Sequence, residues 1–142
     1  MFFANLLLIN YKEKIMTYTV KSEILGFGNI DKMEYSEIDE LFSSMRAVEN
    51  EDISFTLVNP YKLREYSFDL PLAIKALLEI NENSKIEVYN ILMIQSPLDD
   101  STVNFLSPIV FNQDNATMAQ VVLEANKYPE FSLIQPLKSF KN

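Results

Sequence analysis

Turn signals divide this chain into short apolar stretches, each about as long as a β-strand. The clearest is Ile53–Val58, in which every second residue is a large apolar one and Ser54 and Thr56 stand between them. Such alternation is typical of a strand with one buried face. The stretch ends at Asn59-Pro60, because proline cannot donate a backbone hydrogen bond to a neighbouring strand. About six such stretches at near-regular spacing predict one mostly β domain, a small antiparallel β-barrel that is closed or nearly closed.

Other segments have similar patterns, and one of them is ambiguous. Alternation predicts strands in Thr17–Ile24 and Ile30–Ile38. Ile86–Ile94 has β-branched and long apolar residues on both faces, which predicts a central strand. In Asp39–Glu49 the apolar residues fall at helical spacing, so the pattern alone is compatible with a helix or a strand.

One segment, Asp69–Ile80, has the pattern of a helix. Asp69 can serve as the N-cap, and Pro71 is tolerated in the first turn. The apolar stripe of this helix is Ile74, Leu77 and Leu78. We expect this short helix to cap an open edge of the barrel.

The segment Thr102–Glu124 predicts a β-hairpin. Two apolar runs of strand length flank the polar cluster Asn112-Gln113-Asp114-Asn115. This arrangement is typical of a hairpin with a loop of four or five residues.

Composition removes several classes of chemistry. The chain has no cysteine, histidine or tryptophan. Disulfides, thiolate metal sites, serine–histidine triads and histidine-based metal sites are therefore excluded. The two glycines, Gly26 and Gly28, flank Phe27 and predict a turn after a strand rather than a phosphate-binding loop.

The carboxylates form adjacent pairs in predicted turns: Asp39-Glu40, Glu51-Asp52 and Asp99-Asp100. Neighbours on a strand point to opposite faces, and aspartate in turns commonly accepts local backbone hydrogen bonds. We therefore expect these pairs to shape turns, and we expect neither catalysis nor a cofactor. The sequence does not exclude a metal site built from oxygen ligands, although no EF-hand spacing is present.

The net charge of −8 constrains the partners. A strongly acidic chain is unsuited to direct contact with nucleic acid, because neutralising phosphates requires lysine and arginine. The same charge favours attraction to a basic protein.

The first fifteen residues are a separate question. Met1–Ile9 is apolar except for Asn5, but it lacks the ordered parts of a secretory signal and is too short to span a bilayer. We expect Met16 to be the natural initiator, with residues 1–15 either a start-site artefact or a poorly attached arm. Residues 16–142 then form the barrel domain.

Four stretches, in this order, carry a family resemblance: Ile24-Leu25-Gly26-Phe27, Ser54-Phe55-Thr56-Leu57-Val58-Asn59-Pro60-Tyr61, Asn104-Phe105-Leu106-Ser107-Pro108-Ile109-Val110 and Ala119-Gln120-Val121-Val122-Leu123-Glu124. Together they resemble the flagellar assembly factor FliW family, from Met16 almost to the C-terminus. The resemblance favours a strand in Asp39–Glu49. It also implies a non-enzymatic cytoplasmic protein, monomeric when free, that binds the translational regulator CsrA and flagellin. Neither nucleic acid nor a membrane is an expected direct partner.

In the family, such proteins prevent CsrA from repressing flagellin mRNA, and flagellin competes for them. The antagonism is allosteric, since the contact lies away from the RNA site of CsrA. Two alternatives stay open. One is a flagellin export chaperone without a link to RNA regulation, and the other is a β-barrel that binds or transforms a small molecule with its carboxylates.

We expect the partners to contact a rim made by two segments: Asn59, Pro60 and Tyr61, together with Asn104, Phe105, Leu106 and Pro108. The physical reason is that Pro60 and Pro108 disrupt strand pairing and leave groups available at an edge. The alternative is that Phe105, Leu106 and Ile109 are core residues. Tyr61, Tyr66 and Phe68 follow the break at Pro60, where the chain should lie at the surface.

Overall fold

A computed structural model describes residues 15–141. This part of the chain contains eight β-strands and one α-helix. In chain order they are β1 (Ile15–Val20), β2 (Lys32–Glu37), β3 (Phe42–Ala47), β4 (Ser54–Val58), α1 (Leu72–Leu77), β5 (Ile86–Met93), β6 (Thr102–Val103), β7 (Ile109–Asn112) and β8 (Thr117–Gln120). Single 3₁₀ turns occupy Pro60–Lys62, Leu98–Asp100, Pro129–Phe131 and Leu137–Phe140.

The strands form a closed barrel, as the sequence predicts. Their order is β4-β3-β2-β1-β8-β7-β5-β6, and a further pairing between β4 and β5 closes a ring of 7 strands. All pairs are antiparallel except β1 and β8, which run parallel through Thr19 with Thr117 and Val20 with Met118. These two strands come from opposite ends of the chain, so no hairpin fixes their relative direction.

The core has two parts, on opposite faces of the barrel wall. Ile109 and Phe111 of β7 belong to the cluster that fills the barrel, with residues of β1 to β5 and β8. Val110 points the other way, into a cluster formed with Leu78 and Phe131. This outer cluster lies beneath the helical segment and the C-terminal segment, which explains why β7 is buried on both faces.

The ambiguous segment is a strand. In β3 the residues Ser43, Met45 and Ala47 are buried, and those between them are more exposed. The register of β3 with β2 places Met45 beside Tyr35, inside the barrel. The strand therefore has period 2, and the helical spacing in Asp39–Glu49 arose from apolar residues in the flanking turns.

The helix is shorter than predicted, and its predicted N-cap is wrong. The capping position is Pro71, which makes no side-chain capping hydrogen bond. The backbone N–H of Asp69 instead donates to the hydroxyl of Tyr128, over 2.9 Å. The helix ends before Ile80 because Glu79 adopts a positive φ of 54°. In the predicted stripe, Leu78 is fully buried, Ile74 packs on the outer cluster, and Leu77 is 40% exposed.

The predicted hairpin is confirmed, but only for part of its first run. β7 and β8 pair from Ile109 with Gln120 to Asn112 with Thr117, around a loop of residues 113–116. The earlier residues Thr102 and Val103 form β6 and pair with β5. The Nδ2 groups of Asn112 and Asn115 each donate to the carbonyl of Leu78, over 2.9 Å. The hairpin loop thus binds the C-terminal end of the helix.

The other predicted turns are confirmed as turns. Gly26 and Gly28 have φ values of +89° and +65°, which side chains with a Cβ rarely adopt. The carboxylate of Asp39 accepts the backbone N–H groups of Leu41 and Phe42. The predicted N-terminal extension lies outside the described residues except for Ile15, which pairs with Ser36. The start site at Met16 therefore stays a prediction.

Candidate partner-binding surface

The barrel is only loosely closed between β4 and β5. Their ladder has two residue pairs, Leu57 with Ile91 and Val58 with Asn90. An open groove of about 530 Å³ adjoins the end of this ladder. We call it the seam groove. Its walls are residues 54–56 of β4 and residues 91–94, which are the last three residues of β5 and the residue after it, with Leu25 and Phe27 from the glycine turn.

The seam groove is apolar and accessible. Phe27, Met93 and Ile94 are 46%, 56% and 59% exposed, which is unusual for side chains of this size. The ring of Phe27 packs edge-on against that of Phe55, with centroids 4.8 Å apart. The turn between Gly26 and Gly28 therefore holds an aromatic side chain at one end of the groove.

A second groove of about 320 Å³ continues the first. Met93 and Asn104 line both grooves. The far wall of the second groove is the C-terminal segment, where Leu133 and Ile134 are 61% and 84% exposed. We call this second groove the tail groove. The two grooves adjoin at these shared residues; the seam groove is mostly apolar, and the tail groove has a mixed lining that includes Thr102, Asn104 and Ser132.

A polar cup of about 340 Å³ adjoins the other side of the seam groove. Ser44 and Ser54 line both the seam groove and this cup. The cup also contains Glu34, Arg46 and Glu51. Arg46 lies 3.3 Å from Glu34 in a half-exposed ion pair, so the cup has two carboxylates and one guanidinium. Its net charge is negative.

The predicted rim residues differ widely in exposure. Tyr61 is 54% exposed, and Asn104 is exposed in the two apolar grooves. Asn59 and Leu106 are half-buried, and the Asn59 side chain accepts the backbone N–H of Tyr61. The remaining three predicted residues, Pro60, Phe105 and Pro108, are buried. Phe105 is 1% exposed and belongs to the outer cluster. It is therefore a core residue, which was the alternative to a contact residue.

A buried hydrogen-bond network joins Tyr66, in the segment after β4, to β5 and to the segment after β6. The hydroxyl of Tyr66 donates to the carbonyl of Phe105 over 2.6 Å and accepts from Asn90 Nδ2 over 3.2 Å. Asn90 Nδ2 also donates to the carbonyl of Asn104. Burial raises the pKa of Tyr66 above its ordinary value. The expectation that Tyr66 lies at the surface is wrong, because its ring packs against Phe105 and its hydroxyl completes this network.

Arg64 fixes the C-terminal segment next to this network. Its guanidinium lies 5.0 Å from the ring centroids of both Phe105 and Phe131. It also donates to the carbonyl of Glu130 over 3.3 Å. Cation–π contacts of this kind hold Phe131, and hence the wall of the tail groove, against the barrel.

Sequence reasoning missed most of the groove. It placed Met93 and Ile94 inside a buried strand, and it did not single out Leu25, Leu133 or Ile134. The end of β5 gave no local signal, because Met93 and Ile94 simply continue its apolar run. The exposure of Leu133 and Ile134 depends on how the C-terminal segment folds back, which no local pattern encodes.

Two of the predicted turn carboxylates make ion pairs with the C-terminal segment. Asp99 and Asp100 pair with Lys141 and Lys138, each at 2.8 Å. Hydrogen bonding to Asp100 raises the pKa of Lys138. Within residues 15–141 no cluster of three or more acidic, histidine or cysteine side chains could hold a metal ion. Among residues 15–141, no helix has the length and apolar character needed to cross a membrane.

At the barrel wall, a chain of two tyrosine hydroxyls ends on the carboxylate of Glu87. The hydroxyl of Tyr35 donates to that of Tyr89 over 2.8 Å, and Tyr89 donates to Glu87 over 2.8 Å. Burial, together with its bonds to Tyr35 and Glu87, raises the pKa of Tyr89. Tyrosines held protonated in this way contribute packing and hydrogen bonds rather than a proton-transfer group at neutral pH.

Comparisons with known proteins agree on one family. The sequence model of the FliW protein family matches residues 6–134. The chain is 48% identical over 125 residues to flagellar assembly factor FliW 1 of Wolinella succinogenes, covering 88% of this chain and 98% of that protein. It is 47% identical over 127 residues to flagellar assembly factor FliW 1 of Helicobacter pylori, covering 88% and 94%.

A solved structure supports the fold. The crystal structure of a flagellar assembly factor FliW superposes with a TM-score of 0.77 at 23% identity, covering 92% of this chain and 89% of that chain. At that identity the likeness concerns the fold alone. The family match and the close relatives extend over most of the sequence, and the chain belongs to the FliW family.

Proposed function

We propose that this chain is a non-catalytic flagellar assembly factor that binds CsrA and flagellin in the cytoplasm. By binding CsrA it relieves the repression of flagellin mRNA translation. Free flagellin then displaces CsrA and restores repression. The observation that carries this proposal is family membership over most of the chain, shared with proteins named flagellar assembly factors.

The surface supports a binding role. The adjoining seam and tail grooves carry several apolar side chains that are more than half exposed: Leu25, Met93, Ile94, Leu133 and Ile134. Contiguous apolar surface of this kind is typical of protein–protein interfaces. The chain has 20 acidic and 12 basic residues, which suits a basic partner such as CsrA and opposes direct contact with RNA.

The tail groove is the better fit for flagellin. Flagellin is largely helical, and an amphipathic helix presents apolar side chains every three or four residues to a groove. The walls of this groove carry Met93, Leu133 and Ile134 as matching apolar contacts. Of the rim residues, Asn104 and Leu106 line this groove, whereas Asn59 and Tyr61 line a separate groove of about 450 Å³ beside β5.

Partner switching requires a coupling free energy between the two ligands. Each ligand must lower the affinity for the other by the same factor. The tail and seam grooves share Met93 and Asn104, so occupation of one groove constrains side chains of the other. Competition therefore needs no complete overlap of the two partners.

The test is a titration of a labelled flagellin leader transcript with CsrA, followed by the purified chain. We expect the chain to release the transcript from CsrA, and we expect added flagellin to restore the complex. The transcript alone should not bind the chain. Binding to flagellin without any effect on CsrA would instead identify an export chaperone, and turnover of a small molecule would identify a catalytic barrel.

A further inference from the structure

The first half of β5 has one free edge, on the side away from β7. Residues Ile86–Tyr89 pair with β7 in antiparallel register. The N–H of Gln113 donates to the carbonyl of Lys85, so the odd-numbered residues of this stretch exchange backbone hydrogen bonds with β7. The N–H and carbonyl groups of Ile86 and Val88 therefore point to the opposite side, towards β4.

β4 ends before it reaches these groups. Its last residue, Val58, is paired with Asn90. Continuing that register would place Pro60 opposite Val88, but proline has no N–H, and the carbonyl of Pro60 already accepts two N–H groups from the residues after its turn. No residue between 15 and 141 bonds to the backbone of Ile86 or Val88 on this side. An unpaired strand edge of this kind is a template for a further strand.

The space beside this edge is open. A groove of about 450 Å³ lies there, lined by Asn59 and Tyr61 on one side and by residues 86–89 of β5 on the other. We call it the edge groove. Tyr61 is 54% exposed, so its ring is accessible to a chain that enters the groove. Two of the predicted rim residues therefore lie beside an unpaired strand edge.

The side chains of β5 differ on the two faces next to this edge. Ile86 and Val88 pack on the outer cluster, whereas Tyr89 packs inside the barrel. Glu87 lies on the face of Tyr89 and accepts its hydroxyl over 2.8 Å. An added strand would therefore have apolar neighbours on its outer face and a carboxylate beside its inner face.

The carboxylate of Glu87 lacks a cationic partner in the described part of the chain. Among residues 15–141 it is the one charged group that lines the edge groove, and no described lysine or arginine forms an ion pair with it. A carboxylate can accept about four hydrogen bonds, and Tyr89 supplies one. A lysine or arginine directly opposite on a neighbouring strand is a favourable pairing for it.

We propose that the edge groove binds an extended segment of a basic protein partner by strand addition to β5 at Ile86 and Val88. This segment carries a lysine or arginine opposite Glu87, between two apolar residues opposite Ile86 and Val88. Backbone hydrogen bonds supply affinity, and alternate side chains supply specificity. This inference rests on the proposed function, in which the basic partner is CsrA. It assigns CsrA to the edge groove and leaves the tail groove to helical flagellin.

The direct test is residue-resolved amide hydrogen exchange of the full chain, free and with saturating CsrA from the same genome. Strand addition protects the amides of Ile86 and Val88, which we expect to exchange at least about tenfold more slowly in the complex. The amides of Glu87 and Tyr89, which already face β7, are the internal controls and should change little. Saturating flagellin should leave Ile86 and Val88 unprotected.

A matched pair of variants tests the charge contact. Glu87→Gln removes the negative charge from the edge groove and keeps an acceptor for the hydroxyl of Tyr89. We expect it to weaken CsrA binding by about tenfold, as for the loss of one hydrogen bond to a charged group, with flagellin binding unchanged. Glu51→Gln makes the same change of net charge in the polar cup, away from β5. This control should leave CsrA binding nearly unchanged.

The outcomes separate this inference from the proposed function. If CsrA binds while the amides of Ile86 and Val88 stay unprotected, or if all four amides slow equally, strand addition is overturned and the proposed function stands. Protection by flagellin rather than CsrA overturns the assignment to the basic partner, as do equal losses of CsrA affinity in the two variants. If CsrA and flagellin both fail to bind, the proposed function itself is lost. Should Glu87→Gln not fold, the exchange pattern of the unaltered chain decides.

Discussion

The hydroxyl of Tyr66 lies 2.6 Å from the carbonyl oxygen of Phe105, 39 residues further along the chain, and donates a buried hydrogen bond to it. This bond joins the segment after β4 to the segment after β6. Because both segments contain predicted contact residues, we expect the geometry of the rim to depend on this buried tyrosine.

Tyr66→Phe tests that dependence. The change leaves the carbonyl of Phe105 without its donor and removes one acceptor of Asn90 Nδ2. Loss of a partner for a buried polar group costs about 1–3 kcal/mol, so the free energy of unfolding should fall by that amount. Denaturant unfolding measures it. Unchanged stability would contradict a structural role for the bond.

Tyr61→Ala tests the exposed part of the rim. Tyr61 is 54% exposed, and its removal should weaken binding of flagellin or CsrA by about tenfold, as expected for an aromatic anchor, with little loss of stability. The matched control is Leu72→Ala, which removes an 81% exposed apolar side chain from α1. Calorimetric titration gives both affinities. If neither affinity changes, the rim assignment is wrong.

Asn112→Ala tests the link between the hairpin and the helix. Asn112 is 1% exposed, donates to the carbonyl of Leu78 and accepts the N–H of Asp114. We expect a loss of about 1–3 kcal/mol in the free energy of unfolding, because a buried side chain with two hydrogen bonds is removed. The partly exposed Asn115 also donates to Leu78, and Asn115→Ala should cost less. If both variants lost the same free energy of unfolding, the burial of Asn112 would not explain its contribution to stability.

Stability should decline in strong alkali. Burial raises the pKa of Tyr18 from 10.0 to about 12, and burial also raises the pKa values of Tyr35 and Tyr89. Below the ordinary tyrosine value both folded and unfolded chains are protonated, so stability is unaffected. Above it the unfolded chain releases protons first, and each such tyrosine lowers the free energy of unfolding by up to about 1.4 kcal/mol per pH unit.

The measurement is denaturant unfolding at several pH values from 8 upward, with tyrosinate absorbance as a second signal. For Tyr18 the loss should develop as the pH rises from 10.0 towards about 12. Tyr18→Phe should reduce the slope in that window. A flat profile through the window would show that the buried hydroxyls ionise as easily in the folded chain as in the unfolded one.

The barrel could be predicted from sequence because its strands alternate visibly. Ile53–Val58 became β4, and the cluster after Asn112 became the hairpin loop. The helix was over-extended, because its end is set by contacts from Asn112 and Asn115 that lie far along the chain. The resemblance to FliW, rather than periodicity, resolved β3 as a strand.

The candidate surface was harder to predict. Tyr61 and Asn104 were identified from the proline breaks beside them, and both are exposed. The seam groove was missed, because it adjoins the end of the short ladder between β4 and β5. Where a ladder ends depends on the twist and closure of the whole barrel. An apolar run such as Ile91–Ile94 looks the same whether its end is covered or open.

The most direct test of the account is calorimetric titration of the purified chain with CsrA and, separately, with flagellin from the same genome. The account predicts saturable binding to each partner, and a lower apparent affinity for CsrA when flagellin is already bound. Absence of binding to both proteins, with the chain folded, would contradict the claim that it acts by occupying the surfaces of these partners.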